Sequence, residues 1–95
     1  MQIINVTIEL REEFTLVQKR KYPLRWYIII NNVAVHNNTI EIPQTVNGGY
    51  DFSHLSLKGI VIKDEDLSNS NFAGCRLQNA IFQDCNMYKT NFNFA

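Results

Sequence analysis

The chain has 95 residues, with nine Lys plus Arg against nine Asp plus Glu, two His and two Cys. One compact unit with balanced charge makes a poor polyanion-binding surface over its whole length, and an equally poor acidic mimic of nucleic acid. Trp26 to Ile30, the longest apolar run, is too short to span a bilayer, and no basic start leads into an apolar export segment, so the sequence predicts a soluble, cytoplasmic protein without membrane contact.

The first half reads as antiparallel β. Ile4, Val6, Ile8 and Leu10 alternate with Asn5, Thr7 and Glu9, the pattern of a half-buried strand. Arg11, Glu12 and Glu13 suit a turn, followed by a second strand over Phe14 to Lys19 or a short helix starting at Glu12. Pro23 breaks the chain, and Leu24 to Ile30, rich in aromatic and β-branched residues, predicts a third strand. Asn31-Asn32 and Asn37-Asn38 suit two-residue turns because Asn tolerates positive φ, leaving Val33 to His36 and Thr39 to Ile42 as short strands. Pro43 ends that run, and Asn47-Gly48-Gly49 supplies a joint, so the boundary falls between an N-terminal element over 1–48 and a second unit over 49–95.

In the second unit apolar residues recur every five positions: Phe52, Leu57, Ile62, Leu67, Phe72, Leu77, Phe82, Met87 and Phe92. A period of five fits neither a helix nor a flat strand, since it drifts around the first and flips face on the second. A chain keeps such residues on one axis by bending after each short extended segment, as a coiled solenoid does.

From Asp66 to Phe92 the units Asp-Leu-Ser-Asn-Ser, Asn-Phe-Ala-Gly-Cys, Arg-Leu-Gln-Asn-Ala, Ile-Phe-Gln-Asp-Cys, Asn-Met-Tyr-Lys-Thr and Asn-Phe resemble the pentapeptide-repeat family. Small residues match at Ser70, Cys75, Ala80, Cys85 and Thr90, and the Asp or Asn before the centre at Asp66, Asn71, Asn86 and Asn91. The resemblance covers roughly 50–95, with a looser fit upstream at Tyr50, Leu55, Ile60 and Glu65. It implies a short right-handed quadrilateral β-helix with four pentapeptides per coil; together with the N-terminal strands the chain then reads as all-β, the small antiparallel element preceding the β-helix and capping its first coil. Phe52, Phe72 and Phe92 would then form one column, and Cys75 and Cys85 would project from opposite sides as unpaired interior fillers. Glu65 would be costly to bury, so the run Asp64, Glu65, Asp66 is expected to bulge outward, or the regular register to begin after it.

Chemistry-bearing patterns are sparse. His36, His54, Cys75 and Cys85 have no paired metal-ligand spacing, Gly48-Gly49, Gly59 and Gly74 do not form a phosphate loop, and Asp64, Glu65 and Asp66 read as a solvated bend. No catalytic residue, cofactor or metal is expected, and the chain reads as a non-enzyme.

One stretch is a candidate contact site. Lys19, Arg20, Lys21, Tyr22, Arg25, Trp26 and Tyr27 interleave cations with aromatics, a mix suited to an acidic protein patch, or to phosphate contact with base stacking. The competing reading makes Trp26 and one tyrosine core residues beside charges that guard a strand edge. The last coil supplies a second candidate, Met87, Phe92 and Phe94, as the contact of a homodimer, since similar pentapeptide-repeat proteins often join end to end. The expected role is a protein-binding inhibitor or decoy acting on a nucleic-acid-handling machine, such as a phage anti-restriction or anti-CRISPR protein or a gyrase-type blocker. The alternative is an interaction scaffold or assembly subunit. Protein is preferred to nucleic acid as the partner.

Overall fold

The computed structural model describes residues 2–11, 14–15, 20–21 and 24–95. The expected turn at Glu12-Glu13, most of the strand or helix after it, and the break at Pro23 lie outside the described residues. All regular structure among those described is β: β1 (Ile3–Arg11), β2 (Phe14–Thr15), β3 (Arg20–Lys21), β4 (Arg25–Ile30), β5 (Thr39–Pro43), β6 (Val61–Lys63) and β7 (Ile81–Gln83). β2 and β3 pair with each other, and the rest form one open sheet in the order β5-β1-β4-β6-β7.

β1 lies between two antiparallel neighbours. Leu10 stands opposite Trp26, Ile8 opposite Ile28 and Val6 opposite Ile30 on one side, and Val6 opposite Ile40 and Ile4 opposite Ile42 on the other. Directly opposed residues share a face, so the alternation read in β1 becomes a continuous apolar face of three strands. Ile4, Val6, Ile28 and Ile42 are buried there.

The strand expected at Val33 to His36 does not form, and Asn31-Asn32 is not a two-residue hairpin turn. β4 and β5 flank β1 on opposite sides, so the connecting residues must cross β1 and cannot run alongside it. The asparagines hold the crossing: Asn31 Oδ1 accepts from Thr7 Oγ1 at 3.1 Å, Asn32 Oδ1 accepts from the Asn5 amide at 3.2 Å, and Asn5 Nδ2 donates to the Val33 carbonyl at 3.0 Å. Asn37-Asn38 does form a turn, with Ile8 N donating to the Asn38 carbonyl.

From Tyr50 onward the chain coils with a repeat of twenty residues. Asp51 pairs in parallel with Asn71 and Asn71 with Asn91, Ser56 with Arg76, Val61 with Ile81, and Asp66 with Asn86. The phenylalanine column forms: Phe52 and Phe72 stack with centroids 4.9 Å apart, and Phe72 and Phe92 at 5.2 Å. These distances match the strand spacing of about 4.8 Å that sets the rise between coils. Phe82 meets Phe72 edge-on at 5.4 Å.

The backbone at the corners explains the bend. His54, Gly59, Asp64, Asn69, Gly74, Asn79, Asp84, Lys89 and Phe94 all have positive φ, one in every five residues. Gly tolerates this region freely and Asn and Asp better than most, so six of these nine positions carry the residue types that the corner favours. Two further devices repeat. Asp51, Asp66, Asn71, Asn86 and Asn91 each accept from the backbone N–H two residues on, closing the approach to each corner. The small positions reach back one coil: Cys75 Sγ donates to the Phe52 carbonyl at 2.7 Å, Cys85 Sγ to Ile62 at 3.3 Å, and Thr90 Oγ1 to Leu67 at 2.7 Å. Both cysteines are free thiols.

The outward bulge expected at Asp64, Glu65 and Asp66 is absent. Asp64 N donates to the Gln83 carbonyl, Asn86 N donates to the Glu65 carbonyl, and Asp66 pairs with Asn86, so the register passes through unbroken. Glu65 is half-buried, and burial raises its pKa above the ordinary carboxylate value, with Asp64 adding to the shift and a hydrogen bond from the Ile30 backbone opposing it.

The two halves share one core. Tyr27 of β4 pairs in parallel with Val61 of β6, Gln44 bridges to Tyr50, and Thr45 Oγ1 donates to the Asn69 carbonyl. Ile4, Val6, Ile28 and Ile42 belong to the same buried cluster as Phe52, Leu57, Ile62, Leu67 and Phe72. Tyr50 and Leu55 pack against it and Ile60 lies within it, so the bulky residues of the first coil are those that meet the N-terminal strands.

Candidate interaction surfaces

Strand parity divides the basic-aromatic stretch. Lys19 and Tyr22 lie outside the described residues, and Arg20 and Lys21 form β3. On β4, Arg25 and Tyr27 stand opposite Arg11 and Glu9, whereas Trp26 stands opposite Leu10. Tyr27 is only 6% exposed, with the Arg11 guanidinium 5.2 Å above its ring, and Arg11 pairs with Glu9 at 2.9 Å. Trp26, on the other face, is 49% exposed. Sequence proximity grouped these side chains, but the sheet separates a charged side with Tyr27 from an apolar side with Trp26.

What surrounds Trp26 is a set the sequence reading did not assemble. Ile8, Trp26, Asn37, Asn38, Thr39 and Ile40 line a hollow of about 330 Å³ on the apolar face, beyond the part covered by the coils. The alternation of β1 and β5 carried the signal, since Ile8 and Ile40 have the parity of the buried Val6 and Ile42.

At the far end Phe92 is stacked on Phe72 yet 37% exposed, Met87 is similarly open, and Phe94 is almost wholly exposed at its positive-φ corner. Tyr88 is also exposed, with Lys89 Nζ 5.4 Å from its ring centroid. Among the described residues no group of His, Cys, Asp and Glu is placed to hold a metal ion, and no helix is long and apolar enough to cross a membrane. The pKa shifts are structural in origin. Burial followed by Glu65 and Asp66 raises Tyr50, burial raises Cys75, and the hydrogen bonds of Ser68 lower Asp66.

The twenty-residue coils, the small interior positions and the corners repeated every five residues define a pentapeptide-repeat protein. Residues 66–95 match the family model described as Pentapeptide repeats (8 copies), and this segment is a member of the pentapeptide-repeat family. Among curated proteins, the chain is similar to the uncharacterized protein YjcF of Escherichia coli strain K12, at 82% identity over 80 residues. That match takes in 84% of this chain but 19% of YjcF, so the chain spans about a fifth of the relative's length. No solved structure matches the chain.

Proposed function

We propose that this chain is a protein-binding module without catalytic chemistry of its own, acting in the cytoplasm as a stoichiometric inhibitor or decoy of a nucleic-acid-handling machine. Anti-restriction, anti-CRISPR and gyrase-blocking proteins, phage-encoded or otherwise, exemplify the class. The observation that carries this reading is the distribution of exposed apolar side chains: Leu10, Leu24 and Trp26 on the N-terminal sheet, and Ile81, Met87, Tyr88, Phe92 and Phe94 on the last coil. The second group projects from a backbone tied coil to coil by hydrogen bonds, and Leu10 and Trp26 from paired strands, a rigid display suited to recognition.

The reading includes a fold and an assembly. Four pentapeptides close each coil into a right-handed quadrilateral β-helix, supported by pairing at twenty-residue intervals and corners every five. Residues 1–48 act as its cap and 49–95 as the helix. Two copies meet through Met87, Phe92 and Phe94, which would cover the open rings of the last coil. Sedimentation at micromolar concentration should give twice the 11.1 kDa chain mass, and a monomer there would overturn the dimer.

A second reading, a scaffold segment or assembly subunit, is favoured by the greater length of YjcF. Affinity capture from the native host followed by titration of the captured machine separates the two. Inhibition saturating at one chain, or one dimer, per target supports the blocker; capture of a stable complex whose activity is unaffected supports the scaffold. In either case Ala at Lys19, Arg20 and Lys21 together should weaken binding and flatten its salt dependence, and unchanged affinity in the folded triple variant would remove that stretch from the contact.

A further inference from the structure

We propose that the hollow beside Trp26 receives one bulky uncharged apolar side chain from a protein partner, an inference that rests on the protein-binding reading above. The face that forms it is already an interface within the molecule. Towards the coils it buries Ile4, Val6, Ile28 and Ile42 in the same core as Phe52, Leu57, Ile62 and Leu67. Outward the same strands continue with the same parity to Ile8, Ile40, Leu10 and Trp26, of which Leu10 and Trp26 are exposed. The chemistry that covers the inner part, aliphatic and aromatic side chains, is therefore what the outer part is built to meet.

Charge selects among the occupants. Ile8, Trp26 and Ile40 supply apolar wall, and Asn37 and Asn38 supply neutral hydrogen-bonding groups, while the Thr39 hydroxyl is already paired with the His36 backbone. Among the described side chains the cations nearest in register, Arg11 and Arg25, stand opposite each other with the parity of Tyr27, and Arg11 lies over that ring on the other side of the sheet. Among the described residues a nucleotide stacked on Trp26 would find no cation in the lining for its phosphate, whereas a peptide would place an apolar side chain in the hollow and its amide groups against the asparagines. At about 330 Å³ the space lies at the small end for ligand sites, in keeping with a single anchor residue under the edge of an indole.

Trp26 is the only tryptophan in the chain, so its indole reports on the hollow directly. The full chain would be titrated with N-acetyl-phenylalaninamide, and separately with a ten-nucleotide oligothymidylate, following the Trp26 indole N–H and the Ile8 and Ile40 methyl resonances by NMR. The expected result is saturable shifts at all three residues with the apolar amide, at millimolar concentration, and no shift there with the oligonucleotide. Asn38→Asp, which sets a carboxylate in the lining while leaving Trp26 in place, should weaken the apolar probe several-fold, with the melting temperature checking the fold. Shifts produced by the oligonucleotide alone, or an apolar probe that leaves these resonances unmoved, would overturn the assignment. So would changes at the same nuclei on simple dilution, which would make a second copy the occupant. None of these readings depends on identifying the partner, so failure here is distinct from failure of the inhibitor role.

Discussion

The first and last coils are built from the same repeat yet stand in opposite conditions. Phe52 and Phe72 are fully buried, whereas Phe92, in the same column and with nearly parallel rings, is 37% exposed. What differs is the neighbour: above the first coil the N-terminal sheet contributes Ile4, Val6, Ile28 and Ile42 to the core. A repeat fixes where side chains point, but only a covering layer decides whether the hydrophobic effect is collected. The same layer explains the irregular residues of the first coil, since Tyr50, Leu55, Ile60 and Glu65 occupy positions that are small further along.

The largest effect expected from breaking the comparison lies in the shared column. Phe72→Ala removes the ring between Phe52 and Phe92 and should cost about 3–5 kcal/mol in chemical denaturation, while the exposed Gln83→Ala should be nearly neutral. Phe92→Ala should cost clearly less than Phe72→Ala because its ring is already partly in water. Equal losses at the two positions would mean that cover is not what separates the coils.

Next in size is Gly49→Ala. A Cβ at Gly49 would sit 2.3 Å from the backbone carbon and oxygen of Asn69, so one chain segment must shift where the N-terminal element enters the first coil. Overpacking of this kind costs roughly 1–3 kcal/mol. Gly48→Ala meets no atom but forces Ala to φ +86°, so it too should destabilise, through the backbone and without disturbing Asn69.

A smaller gain sharpens the account of the corners. Lys89 adopts φ +57° where the neighbouring corners use Asn79 and Asp84, so Lys89→Gly should stabilise by roughly 1 kcal/mol. No gain in the denaturation midpoint would show that the Lys89 corner is relaxed by its own exposure.

The smallest effect is pH-dependent and belongs to Glu65. Its pKa is raised in the folded chain, so folding favours the neutral carboxyl. Its contribution is best below the unfolded-state pKa and is lost as pH rises through the folded-state value. Glu65→Gln keeps an acceptor for the Ile30 amide and removes that loss. The melting temperature of the variant should therefore pull ahead of the parent as pH is raised from 4 to 7. A constant difference across that range would show that the Glu65 charge is fully solvated.

The coils were legible in the sequence because a five-residue period has few physical solutions, and the column spacing of twenty followed from the family resemblance. The corners were legible in principle as well, from Gly59, Asp64, Asn69, Gly74, Asn79 and Asp84, but His54, Lys89 and Phe94 break that series and hide it. Glu65 was misjudged because its half-burial does not interrupt the ladder: Asn86 N still donates to the Glu65 carbonyl and Asp66 still pairs with Asn86. Val33 to His36 has strand-like composition, yet β1 already occupies the place where it would pair. The grouping around Trp26 was hidden for a related reason: adjacent residues on a strand face opposite ways, so Arg25, Trp26 and Tyr27 were neighbours in sequence and not in space.

The central claim is that residues 50–95 stack with a period of twenty beneath the N-terminal sheet. A nuclear Overhauser spectrum of the protein tests it most directly. The account predicts cross-peaks between the rings of Phe52 and Phe72, between those of Phe72 and Phe92, and from Ile62 to Phe82, together with contacts from Tyr27 to Val61 that tie the sheet to the first coil. A spectrum in which Phe52 contacts neither Phe72 nor any residue one coil away would contradict it.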